Sequence, residues 1–242
     1  SVYAASPALR RPRIPVVVVE HEELQVVKGA WQAWISQPSG SAYLTVSFSL
    51  LFFTALAPHG AVLTAYLATE RVEPYAISAF RAAGAFAGLA GIYLFSNSAV
   101  ESLPSEDGDD DEGMPGSASA ARVVALRRAS GIALALQASA ALVATLSLSS
   151  RRAGLIVFMT AVVVSRSGLY AYDVGYLELQ QLLVDEPDRA ACSGVEAALC
   201  GAAEFSVAVV TLVLFSDPAR FQQLSAASAI AVVASLAVFS YW

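Results

Sequence analysis

The residues best suited to chemistry are Pro58-His59-Gly60, in the middle of the apolar stretch Leu50–Leu67 (LLFFTALAPHGAVLTAYL). Proline removes a backbone donor and clashes with the preceding turn, and glycine relaxes the backbone beside it. Together they predict a broken helix inside a membrane-length segment. Broken backbone is tolerated at that depth only inside protein or along a water-filled cavity. Paired half-helices are how many carriers build a substrate site. His59 is therefore the leading candidate for a substrate or ion ligand. Its alternative role is to hydrogen-bond a carbonyl freed by the break. Other ionisable groups lie in apolar segments, where each is costly and marks a candidate site. Arg166 and Asp173 are seven residues apart on one helical face, with Tyr170 between them. They fit a structural ion pair, two side chains snorkelling from a helix end, or a gate that breaks and re-forms during alternating access. Glu196 and Glu204 are eight residues apart and share another face. Glu196 suits an interfacial position. Glu204 is deeper and suits a cation, a proton or a polar contact to another helix.

The elements that must position these groups are helices. The chain has 242 residues, 57% hydrophobic and only 14% charged. Soluble domains carry about a quarter charged residues, so the expected class is a membrane protein. Six apolar segments approach the ~20 residues that span ~30 Å of hydrocarbon. They cover about 42–67, 76–96, 123–149, 153–182, 190–215 and 219–241, which makes 42–241 an all-α, six-helix transmembrane lobe. In the second segment, Ala83, Ala87 and Gly91 repeat at four-residue spacing, as do Gly84 and Gly88. Such small-residue stripes let helices approach closely.

Residues 1–19, with Arg10, Arg11, Arg13 and three prolines, read as a disordered tail. Residues 20–38 read as an amphipathic interfacial helix. Leu24, Val27, Trp31, Trp34 and Ile35 share one of its faces, and two tryptophans there suit headgroup level. Segment 97–121 reads as a disordered acidic loop. Its run Glu106–Glu112 supplies six acids and accounts for the net charge of −6. It lacks the spaced ligands of a calcium loop, so it reads as solvated charge. Eight Lys and Arg residues flank one side of the membrane and Arg71, Arg151, Arg152 and Arg220 the other, which places both termini in the cytosol or its equivalent. Cys192 and Cys200 are wrongly spaced for a zinc knuckle and read as small packing residues. No basic patch points to nucleic acid. No nucleotide, hydrolase or metalloprotease motif is present, so neither an enzyme nor a resident cofactor is expected. The chain starts Ser-Val-Tyr, which fits a fragment or a processed product.

Several groups of residues, in their order and spacing, resemble one family. They are Trp31-x-x-Trp34-x-x-Gln37-Pro38, Leu56-Ala57-Pro58-His59-Gly60 with Leu63–Leu67, and Arg166-x-Gly168-Leu169-x-x-Tyr172-Asp173. Glu186–Arg189, Ser193-Gly194-Val195-Glu196 and Asp217–Phe221 complete the set. Over most of 28–241 the chain resembles the C-terminal half of a ferroportin-type iron transporter (solute carrier family 40), closest to the plastid-type branch of plants and algae. The resemblance implies a major-facilitator-like pair of six-helix lobes, of which this chain is the second. The first span corresponds to the family's discontinuous seventh helix. It also implies a metal site in each lobe. Animal-type members use a cysteine at the seventh-helix break, a position that falls here on His59 or Gly60. Their eleventh-helix histidine falls on Val207 or Ala208. Glu204 lies one turn earlier, where the family can carry an aspartate. A His59–Glu204 site suits Fe(II) or Mn(II). Pro58, Gly60, Tyr66, Arg166, Asp173 and Glu196 are the gating or cavity-lining candidates. The cysteine engaged by a peptide regulator in the animal family is absent.

The expected function is therefore transmembrane transport of iron or a related divalent metal by alternating access. The alternatives are a carrier of a metal chelate or organic cation, and a non-transporting membrane scaffold or partner subunit. The expected partners are membrane lipid, the transported Fe(II) or similar cation, and either the missing N-terminal lobe or a second copy, because rocking needs two lobes. The expected location is the plastid envelope, with the plasma or vacuolar membrane as alternatives.

Overall fold

The computed structural model of the chain describes residues 19–37, 40–58, 60–101, 115–148, 152–214, 217 and 220–242. These residues form eight α-helices: α1 (Val19–Ile35), α2 (Ser41–Leu50), α3 (Ala61–Thr69), α4 (Pro74–Glu101), α5 (Pro115–Ser147), α6 (Arg152–Leu183), α7 (Arg189–Leu214) and α8 (Phe221–Tyr241). A short 3-10 turn, Glu186–Asp188, precedes α7. Five segments are long and apolar enough to cross a membrane: Pro74–Asn97, Ala120–Ser147, Gly154–Leu183, Glu186–Val213 and Phe221–Tyr241. The acidic segment is narrower than its composition predicts, because α4 continues to Glu101 and α5 already starts at Pro115. On the α5 side Ala118, Ala120 and Ala121 favour helix, and Pro115 suits a first helical turn. Residues 1–18 and 102–114, expected to be disordered, lie outside the described residues.

Helix α6 is the hub, packing against α2, α4 and α5. Its Tyr172, Tyr176 and Leu179 are fully buried in the main core. Phe48 of α2 stacks on Tyr176 with ring centres 4.1 Å apart. The Tyr172 hydroxyl meets Ser47 Oγ at 3.0 Å, and Ser47 in turn bonds the Ser235 carbonyl at 2.9 Å. One small polar network thus ties α2, α6 and α8 together inside an apolar core.

Glycines decide how close the helices come. A Cβ at Gly91 would collide with the Ser167 carbonyl oxygen, and one at Gly88 would lie 2.8 Å from the Tyr170 ring. On the other side of α6, a Cβ at Gly168 would lie 2.6 Å from the Ala133 carbonyl oxygen of α5. Backbone-to-backbone packing of this kind needs residues without side chains. Of the two small-residue stripes, the face holding Gly84, Gly88 and Gly91 is buried, whereas Ala83 is exposed. Spacings of four and three keep the first three on one helical face.

Helix α1 packs on α7. Trp34 is buried there with Val184, Cys192 and Val195. Gln37 Nε2 donates to Asp188 Oδ2 at 2.9 Å, which joins two of the sequence groups singled out above. Arg189 caps the end of α6 by donating to the carbonyls of Val184 (3.1 Å) and Gln181 (2.9 Å). Both cysteines are free and buried.

Gly91→Ala should lower thermal stability in detergent by about 1–3 kcal/mol, because overpacking outweighs the gain of ~1 kcal/mol in helix propensity. Thermal unfolding followed by tryptophan fluorescence checks this. Gly201→Ala is the control, since a Cβ there meets nothing within 4 Å and should leave stability unchanged or raised.

Candidate substrate site

The site is built around the non-helical chain between α2 and α3. Pro58 cannot donate, its ring opposes the carbonyl of residue 54, and it biases Ala57 away from helix. The helix therefore ends a full turn or more before the proline. Leu51, Phe52 and Phe53 close α2 with amide bonds to Phe48, Ser49 and Leu50 at 3.0, 3.1 and 3.2 Å, the tighter three-residue pattern of a helix end. Gly60 then caps the start of α3 at φ −68°, ψ 141°. That conformation is open to any residue. Glycine is favoured here by crowding instead, because a Cβ would lie 3.0 Å from the Ala57 carbonyl oxygen.

Some backbone groups of this segment pair locally, Thr54 N–H with the Phe52 carbonyl at 2.9 Å and Gly60 N–H with the Ala57 carbonyl at 2.8 Å, and others are paired by polar side chains. The Ala55 amide donates to Ser228 Oγ of α8 at 2.9 Å. The Leu56 amide donates to Thr54 Oγ1 at 3.1 Å. The Leu56 carbonyl accepts from Arg166 Nη2 of α6 at 2.9 Å. The Pro58 carbonyl accepts from Arg81 Nε of α4 at 3.1 Å. Arg81 Nη2 also donates to Thr64 Oγ1 at 2.7 Å, and that hydroxyl donates to the Gly60 carbonyl at 2.8 Å. Three helices thus each send one side chain to the same short stretch.

A cavity of about 280 Å³ opens beside it. Thr54 and Ala57 of the non-helical chain, Arg166 and Tyr170 of α6, and Glu204 and Val207 of α7 line it together with apolar side chains. Arg166 is only 7% exposed, and its Nε has no hydrogen-bond partner. Glu204 is exposed. The cavity therefore places a nearly buried guanidinium and a reachable carboxylate on facing helices.

Other candidates sit elsewhere. Arg166 and Asp173 form no ion pair, whereas Arg122 and Glu178 do, at 3.6 Å. Two helical turns separate Arg166 and Asp173 by about 10 Å along the axis, and side chains lean towards the N-terminus together, so the gap stays open. Arg166 meets the freed Leu56 carbonyl instead. Glu196 is locked by Tyr176 Oη and Gln180 Nε2, which donate to its Oε2 at 2.7 Å each. Tyr66 stacks on Phe221 at 4.1 Å between ring centres and does not line the cavity. Pro58 is buried, and a Cβ at Gly84 of α4 would lie 3.2 Å from its ring. His59 lies outside the described residues. Among those described, no three His, Cys, Asp or Glu side chains converge as a metal site. Arg81 and Ser228 were not singled out in the sequence. An arginine within an apolar, Ala- and Gly-rich helix was signal enough for the first.

The Ferroportin1 (FPN1) family model matches residues 9–102 and 117–232. The chain belongs to the ferroportin family. Membership and the five apolar helices make it an integral, multi-pass membrane protein. Ferroportin family members are transporters, not enzymes. Ferreportin of Bdellovibrio bacteriovorus is 27% identical over 208 residues, 83% of this chain and 41% of that protein. "Solute carrier family 40 member 2, chloroplastic" of Oryza sativa subsp. japonica is 26% identical over 223 residues, 90% of this chain and 34% of the relative. The chain thus spans less than half the length of either ferroportin relative. Crystal structures of a bacterial homologue of the iron transporter ferroportin match in two states. The outward-facing one gives a TM-score of 0.70 at 26% identity, covering 86% of this chain and 46% of that one. The inward-facing one gives 0.69 at 26% identity, covering 83% and 44%.

Ser228→Ala should remove the partner of the buried Ala55 amide and lower stability by about 1–3 kcal/mol. Thermal unfolding in detergent measures it. Ser240→Ala on the same helix, where the exposed hydroxyl bonds only its own helix, should shift stability by no more than about 0.5 kcal/mol.

Proposed function

We propose that the chain is the second lobe of a ferroportin-like carrier that moves iron or a related divalent metal by alternating access, with the cavity beside residues 51–60 as its half of the substrate path. The observation that carries this reading is the meeting of non-helical backbone, Arg166 and Glu204 around one cavity. In this reading α2 and α3 are the two halves of one broken span, the sixth beside the five long ones, and α1 lies at the interface. Glu204 supplies a carboxylate to the metal and His59 an imidazole, a donor pair suited to Fe(II) or Mn(II). Further ligands come from the opposing lobe, or from a second copy of the chain. Nearly equal similarity to outward-facing and inward-facing relatives supports a lobe that moves as one body, with the change of access lying between lobes. The plastid envelope is the proposed location, supported by the chloroplastic rice relative.

A second reading, transport of an anionic metal chelate, has one observation in its favour. Arg166 places a fixed positive charge in the cavity, which opposes a bare dication and attracts a carboxylate-rich complex.

Proteoliposome flux of Fe²⁺, Mn²⁺, Co²⁺ and ferric citrate separates the two. The first reading expects flux of the bare ions, with His59→Ala and Glu204→Gln each lowering kcat/KM by about tenfold or more, the loss of one ligand. Unchanged flux and metal binding in His59→Ala would remove His59 from the site. Flux of ferric citrate alone, lost in Arg166→Met, would establish the chelate reading.

A further inference from the structure

We propose that Arg81 is the positioning residue of the substrate site, a two-point clamp by which α4 fixes the backbone on either side of residue 59. This rests on the cavity beside residues 51–60 being the substrate site. One arm of the guanidinium holds the Pro58 carbonyl through Nε at 3.1 Å. The other arm holds Thr64 Oγ1 through Nη2 at 2.7 Å, and Thr64 passes the restraint to the Gly60 carbonyl at 2.8 Å. The planar fork of arginine suits two acceptors at once, whereas lysine is a single point charge. Gly84, one turn along α4 on the same face, brings the helix against the Pro58 ring, where a Cβ would lie 3.2 Å away. Helix α4 therefore meets Pro58 twice, once through contact and once through a charge-assisted bond. A cation within an apolar helix is costly, and these bonds to freed backbone are what offset that cost. Arg81 is not among the residues that line the cavity, so it acts on the site through the chain it holds.

The test uses the full chain with three variants, Arg81→Met, Arg81→Lys and Thr64→Val. Hydrogen exchange of the peptide covering 54–64 reads the clamp directly, and calorimetry with Co²⁺ reads the site. Arg81→Met should speed exchange across 60–64 by about tenfold and weaken Co²⁺ binding by a similar factor, as expected for one charge-assisted bond. Arg81→Lys should rescue only part of both, and Thr64→Val should speed exchange without changing charge. Wild-type exchange in both Arg81→Met and Thr64→Val would overturn the proposal. So would tighter Co²⁺ binding in Arg81→Met with full rescue by lysine, which would make Arg81 a matter of charge alone. If the wild-type chain binds no Co²⁺ while exchange still rises in Arg81→Met, the substrate reading fails and the clamp stands.

Discussion

A non-helical stretch inside an apolar bundle must find partners for every polar backbone group it frees. Residues 51–60 impose that constraint on everything around them. An unpaired buried amide or carbonyl costs about 1–3 kcal/mol, and water is scarce where the surroundings are hydrocarbon. The chain meets the demand with side chains from three helices: Ser228 for the Ala55 amide, Arg166 for the Leu56 carbonyl and Arg81 for the Pro58 carbonyl. The polar residues that look out of place in apolar segments are therefore explained first by the break. The cavity shares part of this arrangement, because Arg166 and Thr54, which pair the Leu56 carbonyl and amide, also line it.

Reaching those groups depends on how tightly the helices stack. Arg166 extends from α6 and Arg81 from α4, and the two helices are held together through Gly88 and Gly91. With larger residues there, α4 would move outwards and Arg81 would draw away from the Pro58 carbonyl. Gly168 performs the same service between α6 and α5. Packing and polar satisfaction are thus one problem: the glycines set the spacing, and the spacing sets which side chains reach the freed carbonyls. The Ser47–Tyr172–Ser235 network anchors α2 just before the helix ends, so the non-helical stretch leaves from a fixed point.

Composition and periodicity made the five long helices legible, along with the use of small residues between helices. Motif order pointed to the family. Partners were harder to read. The spacing of Arg166 and Asp173 put them on one face, but a shared face does not close a gap of two turns, and a freed carbonyl on another helix competes for the guanidinium. Tyr66 followed the same logic, since its position near the break says nothing of the Phe221 ring that stacks on it. The length of the break was also hidden. Proline marks its later part, while the helix end at Leu50 depends on turns that only the folded chain reveals. Arg81 was visible as a charge in an apolar helix, but its two acceptors belong to residues 17 and 23 positions away.

The distribution of charge around the bundle argues which surfaces can face lipid. Helix α8 carries no charged residue between Phe221 and Tyr241, and its Ile230 is exposed. Such a surface is at ease against acyl chains. Arg81 and Glu204 are both exposed, and both lie beside the non-helical stretch. At membrane depth neither can face hydrocarbon at low cost, so that side of the bundle must meet water or another protein surface. Phe205, Leu212 and Val213 of α7 are also exposed, which makes water alone a poor match for the whole of that helix. A covering protein surface that leaves a wet path beside Glu204 satisfies both demands.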